Sequence, residues 1–229
     1  MTISTKRTAL TMDMIYENNY IRLCGVMTGP PVYSHSSRGQ MFYTFPLEIR
    51  RLSGNTDTVN IVLRREKLAE LEPGDSGKLM VVGQLRTFNN RRGDGARLVI
   101  TVLAKELAFC DGPDENAVYL TGTICKPPNL RVTPMGRDIC DLMLAVNRHY
   151  GRSDYLPCIC WGVKALEASA WSVGTGVRLE GRIQSRRYIK VTESGPVERT
   201  AFEVSAIQAG ALENPGENGG VKNKQELFN

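Results

Sequence analysis

Asn116-Ala-Val-Tyr-Leu-Thr-Gly122 is answered 97 positions earlier by Asn19-Tyr-Ile-Arg-Leu-Cys-Gly25. The same offset carries Pro30-Pro31 onto Pro127-Pro128. Further on, Leu79-Met-Val-Val-Gly83-Gln-Leu85 answers Val177-Arg-Leu-Glu-Gly181-Arg-Ile183 at an offset of 98. An Asn, a Gly and a double Pro held in one register mark a duplication. Two homologous domains are expected, at 14–109 and 116–208. Between them lies Cys110-Asp-Gly-Pro-Asp-Glu115, short, acidic and turn-prone, which reads as a linker. Residues 209–229 turn to Gly, Asn and Glu without periodicity and are expected to form a flexible tail.

The chain has 229 residues, 41% hydrophobic and 23% charged, a globular composition long enough for two domains. No apolar run has the length of a membrane span, and Met1 to Asp13 lacks the apolar segment of a secretory signal. A cytoplasmic protein is expected. The net charge of +5 is unevenly distributed. Residues 1–109 hold 15 Lys+Arg against 10 Asp+Glu, and residues 116–208 hold 12 against 8. Both domains are basic and the connectors acidic, which favours an acidic partner such as nucleic acid. Two histidines, His35 and His149, leave little room for histidine catalysis or zinc. The six cysteines show no CxxC pair or metal-finger spacing and are not expected to form a framework, and Cys158 and Cys160 are expected as small core residues in a reducing compartment. A metal site at Cys158, Cys160 and His149 is the alternative. No P-loop, Ser/His/Asp set or paired-carboxylate motif points to an enzyme, and no cofactor is expected.

Within the second copy, Ala117–Thr123, Ile139–Arg148, Tyr155–Trp161, Val177–Tyr188 and Ala201–Ala206 read as strands, and Val163 to Ala170 as a short helix. The first copy repeats the pattern with Asn60–Leu63, Glu66–Leu71 and the turn Pro73-Gly74. Three strands, a helix and two strands is the order of the OB fold, a Greek-key barrel that binds oligonucleotides or oligosaccharides on one face. The expected class is all-β: two tandem five-stranded OB barrels, each with one short helix.

Strand parity then separates core from surface. Val177, Leu179, Gly181 and Ile183 share one face and suit the core. Arg178, Glu180, Arg182, Gln184, Arg186 and Tyr188 share the other. In the preceding strand Leu156, Cys158 and Cys160 suit the core, which sends Tyr155, Ile159 and Trp161 outward. A bulge is expected near Asn147, leading Arg148 and Tyr150 into a loop with Gly151, Arg152 and Ser153. Outward rings beside arginines are how a single-strand platform is built: rings stack on bases and guanidinium groups meet phosphates. The bland alternatives are a solvated edge for Tyr188 and packing beneath the helix for Trp161.

At this point the second domain resembles the bacterial single-stranded DNA-binding protein family. The matching stretches are Asn116–Gly122, Pro128–Gly136, Leu144–Arg148, Ile159–Gly162, Leu179–Ile183 and Phe202–Val204. The resemblance places the family's stacking aromatics on Tyr150, Tyr155, Trp161 and Tyr188, three of them Tyr where Trp or Phe is common. With Arg148, Arg182 and Arg186 they form the expected site for single-stranded DNA. The first domain resembles the family more weakly. A slide of 98 sets Leu52, Asp57, Leu63 and Asn90 against the four rings, so its face is expected to be ring-poor. By parity Arg86 and Phe88 still point outward, and Arg50, Arg51, Arg64, Arg65, Arg91 and Arg92 supply charge. The resemblance further implies a homodimer with four OB domains per assembly, nucleoid association, and replication or repair proteins as partners. The end Lys222-Asn-Lys-Gln-Glu-Leu-Phe-Asn229 lacks the family's acidic tip. The rival reading is an OB-fold interaction module, of a replication-restart or conjugation kind, with weak DNA affinity.

Overall fold

The computed structural model describes residues 17–71, 77–90, 98–148, 150–192 and 195–212. His149, Arg91, Arg92 and Lys222–Asn229 lie outside the described residues, as does all of the expected tail beyond residue 212.

Hydrophobic alternation builds the first barrel from β1 (Asn19–Met27), β2 (Val32–Ser37), β3 (Gln40–Arg50), β4 (Thr56–Arg64), a 3-10 helix (Arg65–Leu71), β5 (Lys78–Asn89) and β6 (Leu98–Phe109). The second repeats it with β7 (Glu115–Ile124), β8 (Asn129–Val132), β9 (Asp138–Asn147), β10 (Ser153–Trp161), helix α1 (Val163–Ser169), β11 (Gly176–Thr192) and β12 (Gly195–Ala211). In the first barrel the ladder runs β1-β3-β4-β6-β5 and closes on β1, with β4 and β6 parallel. The second closes the same way, with β10 and β12 parallel. These are two OB barrels. Strands β2 and β8 escaped the sequence reading because they are exposed along their whole length and carry no buried face.

The repeated Asn and Gly have physical jobs. At β1 and β7 the strand must switch neighbours to close the barrel. A side chain at Gly25 or Gly122 would collide there with the carbonyl of Glu48 or Ala145. The ladder between β1 and β5 stops at Ile21↔Gly83, beside a register shift. Beyond it the Asn19 amide substitutes for a peptide group: Nδ2 donates to Leu85 O at 2.8 Å and Oδ1 accepts from Leu85 N at 2.8 Å. Asn116 does the same with Ile183, at 2.7 and 3.0 Å. The second register shift falls at Glu180/Gly181, whereas the β9–β10 register runs unbroken to Asn147↔Ser153. The bulge expected near Asn147 is therefore at Gly181 instead, where Ser205 O crowds the position and excludes a side chain.

The two barrels pair through β1 and β7, antiparallel from Asn19↔Leu120 to Cys24↔Glu115. Two reciprocal clasps reinforce the ladder. Asp57, fully buried, accepts from Arg51 Nε at 2.6 Å and reaches across the boundary to Ser185 N at 2.7 Å and Oγ at 2.8 Å. Asp154, also fully buried, accepts from Arg148 Nε at 2.7 Å and from Thr87 N at 2.6 Å. Each arginine completes the ring by donating to the opposite barrel, Arg51 to Ser185 O at 3.1 Å and Arg148 to Thr87 O at 3.0 Å.

Other expectations shift locally. The connector is pinned to the first barrel: Asp114 accepts from Lys78 Nζ at 2.7 Å and from Arg50 N at 2.6 Å. β12 continues to Ala211, and Ala209 is buried opposite Leu179, so the tail begins later than expected. Cys140, Cys158 and Cys160 are buried single residues, but Cys24 meets Cys110 sulfur to sulfur, with Cα atoms 7.4 Å apart. Among the described residues no helix is long and apolar enough to cross a membrane.

Burial alone would raise the Asp57 carboxyl, but hydrogen bonds from Arg51 and Ser185 outweigh it and hold its pKa below the ordinary aspartate value. Its contribution is therefore present above the unfolded pKa of about 3.9 and is lost as pH falls below that. Removing a carboxylate from either clasp leaves a part-buried arginine and the facing Ser185 or Thr87 donors without their acceptor and costs about 1–3 kcal/mol. Urea unfolding of Asp57→Ala at pH 7 is expected to show that loss, and the variant's stability should decline less steeply than wild type between pH 5 and pH 3. Equal stability at pH 7 would show the clasp to be dispensable.

Candidate nucleic-acid interface

On β11 the inward set Val177, Leu179 and Ile183 is fully buried, while Arg178, Arg182 and Arg186 are exposed. Tyr188 is half-buried with the Arg186 guanidinium 5.8 Å from its ring centre, a cation–π contact that steadies both groups on the outer face. On β10 the inward set Leu156, Cys158 and Cys160 is buried. Tyr155 is 50% exposed and Trp161 is 40% exposed. Ile159 departs from the expected pattern: it shares their outward parity but is buried, flanked by Asp141 on β9 and Ser205 on β12. Trp161 Nε1 donates to Ser205 Oγ at 3.1 Å, which fixes the indole and leaves part of its surface open. Beside it, Gly136, Arg137, Asp138 and Gly162 enclose an open depression of about 470 Å³. Tyr150 projects from the β9–β10 turn, 93% exposed and at φ 74°, a backbone region that bulky residues seldom occupy.

Two of the expected phosphate contacts are engaged elsewhere. Arg148 closes the clasp on Asp154, and Arg86 Nη1 donates to the same carboxylate at 3.0 Å. A buried carboxylate demands cationic partners, and these two arginines supply them. The clasp instead positions rings. Tyr155 N donates to Thr87 Oγ1 at 3.0 Å, so Tyr155 is held at the barrel boundary next in sequence to Asp154, and Phe88, 53% exposed, follows Thr87 on the facing strand. The slide of 98 also needs correction. Asp57 and Asp154 occupy equivalent clasps 97 positions apart, so the counterpart of Tyr155 is Thr58 and that of Trp161 is Arg64. Asp57 lies inside a clasp rather than on the face, and Leu63 is core.

The sequence reading missed an acidic element. Arg131 pairs with Asp141 through Nε–Oδ2 at 2.5 Å and Nη2–Oδ1 at 3.0 Å. Near them, burial pushes the Glu203 carboxyl up, opposed by Arg186 and reinforced by Asp141. Inward Val204 is the signal that would have sent Glu203 and Ser205 outward. Asp141 and Glu203 thus set acidic groups on this face, Asp141 paired with Arg131 and Glu203 close to Arg186. Burial pushes the Cys158 thiol far up and Cys160 up to about 11, as expected of small residues packed in an apolar core. Among the described residues no cluster of metal-ligating side chains forms.

An OB barrel presenting open rings between arginines defines a protein of the single-strand-binding class. The comparisons with known proteins agree. A family model described as "Single-strand binding protein family" matches residues 115–212. The single-stranded DNA-binding protein of Oceanobacillus iheyensis is 32% identical over 114 residues, 46% of this chain and 68% of that one. Single-stranded DNA-binding protein 1 of Staphylococcus aureus is 30% identical over 119 residues, 49% of this chain and 71% of that one. Single-stranded DNA-binding protein 2 of Listeria innocua is 35% identical over 80 residues, 32% of this chain, which spans half of that relative's length. The wild-type single-stranded DNA binding protein from Thermus aquaticus superposes with a TM-score of 0.69 at 22% identity, covering 90% of this chain and 98% of that one, a likeness of fold. The chain belongs to the single-strand binding protein family, whose members are non-enzymatic DNA-binding proteins.

The two groups of arginines should separate in stability measurements. Arg148→Gln is expected to lower the unfolding free energy by about 1.5–3 kcal/mol, the range for a hydrogen bond to a charged group. Arg182→Gln should stay within about 0.5 kcal/mol of wild type, as an exposed substitution does. Similar losses in both would remove the distinction.

Proposed function

We propose that the chain coats unpaired DNA with little sequence preference. One observation carries the reading: Tyr155 and Trp161 stand open on β10 while Leu156, Cys158 and Cys160 between them are packed into the barrel. Large rings left outside a barrel have a use when a base covers them, and each stacked base contributes about 1–3 kcal/mol. Tyr188, braced by Arg186, and Tyr150 on the hairpin extend the platform at both ends. Arg182 and Arg186 meet phosphates, and Phe88 joins from the first barrel. A π-face carries no sequence code, so the preference is for single strands rather than for a sequence. The family assignment and the names of the relatives point the same way.

Assembly and setting belong to this proposal. One chain carries two barrels, so two chains supply four, and we propose a homodimer of cytoplasmic, nucleoid-associated location, serving replication, recombination or repair. Sedimentation at micromolar concentration should give twice the chain mass of 25.4 kDa; a single chain mass would reject the dimer.

Two binding measurements test the core of the proposal. Affinity for oligo-dT is expected to fall with salt, log against log, by about 0.7 per phosphate neutralised. Arg186→Gln should reduce that slope by about one contact, and affinity flat in salt would remove the phosphate half. Oligo-dT should quench the intrinsic tryptophan emission, and Trp161→Ala should abolish most of the change. Full quenching in that variant would move the site away from β10. Failure to shift oligo-dT at micromolar protein would favour the interaction-module reading.

A further inference from the structure

The first barrel has rings where the slide of the repeat did not look for them. Its β2–β3 hairpin turns through Arg38 and Gly39, both at positive φ, 51° and 76°. A register irregularity between Tyr33 and His35 then re-aims the side chains of β2. As a result Tyr33 meets Tyr43 edge-on, with ring centres 6.0 Å apart. His35 instead lies flat on Phe42, ring centres 4.8 Å apart and planes within 6°. Ser34 Oγ lies 3.0 Å from His35 Nδ1 and helps hold the imidazole. His35 is exposed and Phe42 half-buried beneath it. Directly across the β3–β4 ladder from Phe42 stands Arg64, also exposed.

The position of this cluster gives it meaning. The Phe42↔Arg64 pair of the first barrel occupies the cross-strand place that Ile139↔Trp161 holds in the second. The ring has moved one strand over and the cation has taken its seat, on the same surface of the same fold. A flat imidazole backed by a phenyl ring is a rigid platform with an open outer face. A guanidinium beside it completes the ring-and-cation pair found at Tyr188 and Arg186.

We infer that His35 and Phe42 form a base-stacking site of the first barrel, with Arg64 as its phosphate contact. It holds a nucleotide of the same unpaired strand that the second barrel binds. The inference rests on the proposed function and extends it: both barrels stack bases, and the strand tracks from one to the other.

The test compares an oligo-dT of about 10 nucleotides, within the reach of one barrel, with one of about 35, long enough for both. The variant combines His35→Ala with Phe42→Leu, which removes both rings and keeps apolar volume on β3. Its affinity for the longer strand is expected to fall about tenfold, the loss of one stacked base, while the shorter strand binds within about twofold of wild type. A second readout does not depend on tolerance of that change. In a Trp161→Phe, Trp171→Phe background, Phe42→Trp places the sole indole at the platform, and its emission should be quenched as the labelled longer strand binds. Unchanged affinity of the ring-deleted variant, or an unquenched reporter on a strand that anisotropy shows to be bound, overturns the platform and leaves the proposed function intact. Wild-type protein that binds neither length overturns the proposed function itself.

Discussion

Two buried carboxylates hold this molecule in one shape. Asp57 and Asp154 are each sealed from solvent, and an ionised carboxylate in such a place is tolerated only with cations and hydrogen bonds around it. Each draws an arginine from its own barrel and a hydroxyl and a peptide N–H from the other. Neither barrel can satisfy its aspartate alone. The β1–β7 ladder brings the halves together, but a two-strand ladder tolerates twist and sliding. The clasps act at two further points, symmetric about that ladder, and remove those freedoms. A face spread over both barrels is only as well placed as this boundary.

The clasps also decide what the arginines are for. Strand parity tells inward from outward and did so correctly along β11 and most of β10. It says nothing about whether an outward cation is met by solvent or by a carboxylate from another element. Arg86 and Arg148 therefore looked in the sequence like Arg182 and Arg186, since both sets lie on outward positions beside aromatic residues. What separates them is a partner 68 residues away in one case and 6 in the other. Parity from Val204 sends Glu203 outward, but that Glu203 comes near Asp141 and Arg131 depends on strands brought together only by the closed barrel.

The fold was legible because its hardest geometric demands fall on particular residue types. Closing the barrel forces backbones into contact at Gly25 and Gly122, and the interrupted ladder needs an amide at Asn19 and Asn116. Those demands are why the repeat announces itself as an Asn and a Gly at fixed spacing. The same regularity misled the alignment of the two faces. The offset is 97 through the clasp aspartates and 98 through the Gly83/Gly181 bulges, so one residue is gained between them. A one-residue slip reverses the facing of every side chain on a strand. It set buried Leu63 against Trp161, in place of exposed Arg64, and made the first barrel look empty. Hairpin β2–β3 lay beyond reach for another reason: with no buried face it has no hydrophobic period, and its ring stack is created by an irregularity in register.

Seen in the corrected register, the barrels share a scaffold and differ in what they place on it. At one clasp, Tyr155 and Phe88 follow Asp154 and Thr87; at the other, Thr58 and Arg186 follow Asp57 and Ser185. One boundary is ring-rich and the other cationic, although the backbone beneath them is the same. A symmetric pair of barrels would present two identical sites with no preferred path between them. Here the two junctions differ: two rings stand beside one clasp, and a threonine and the Tyr188-paired Arg186 beside the other. Because both junctions are anchored on buried aspartates, the shared backbone fixes where each set of side chains starts, and the residue types alone make the two junctions differ.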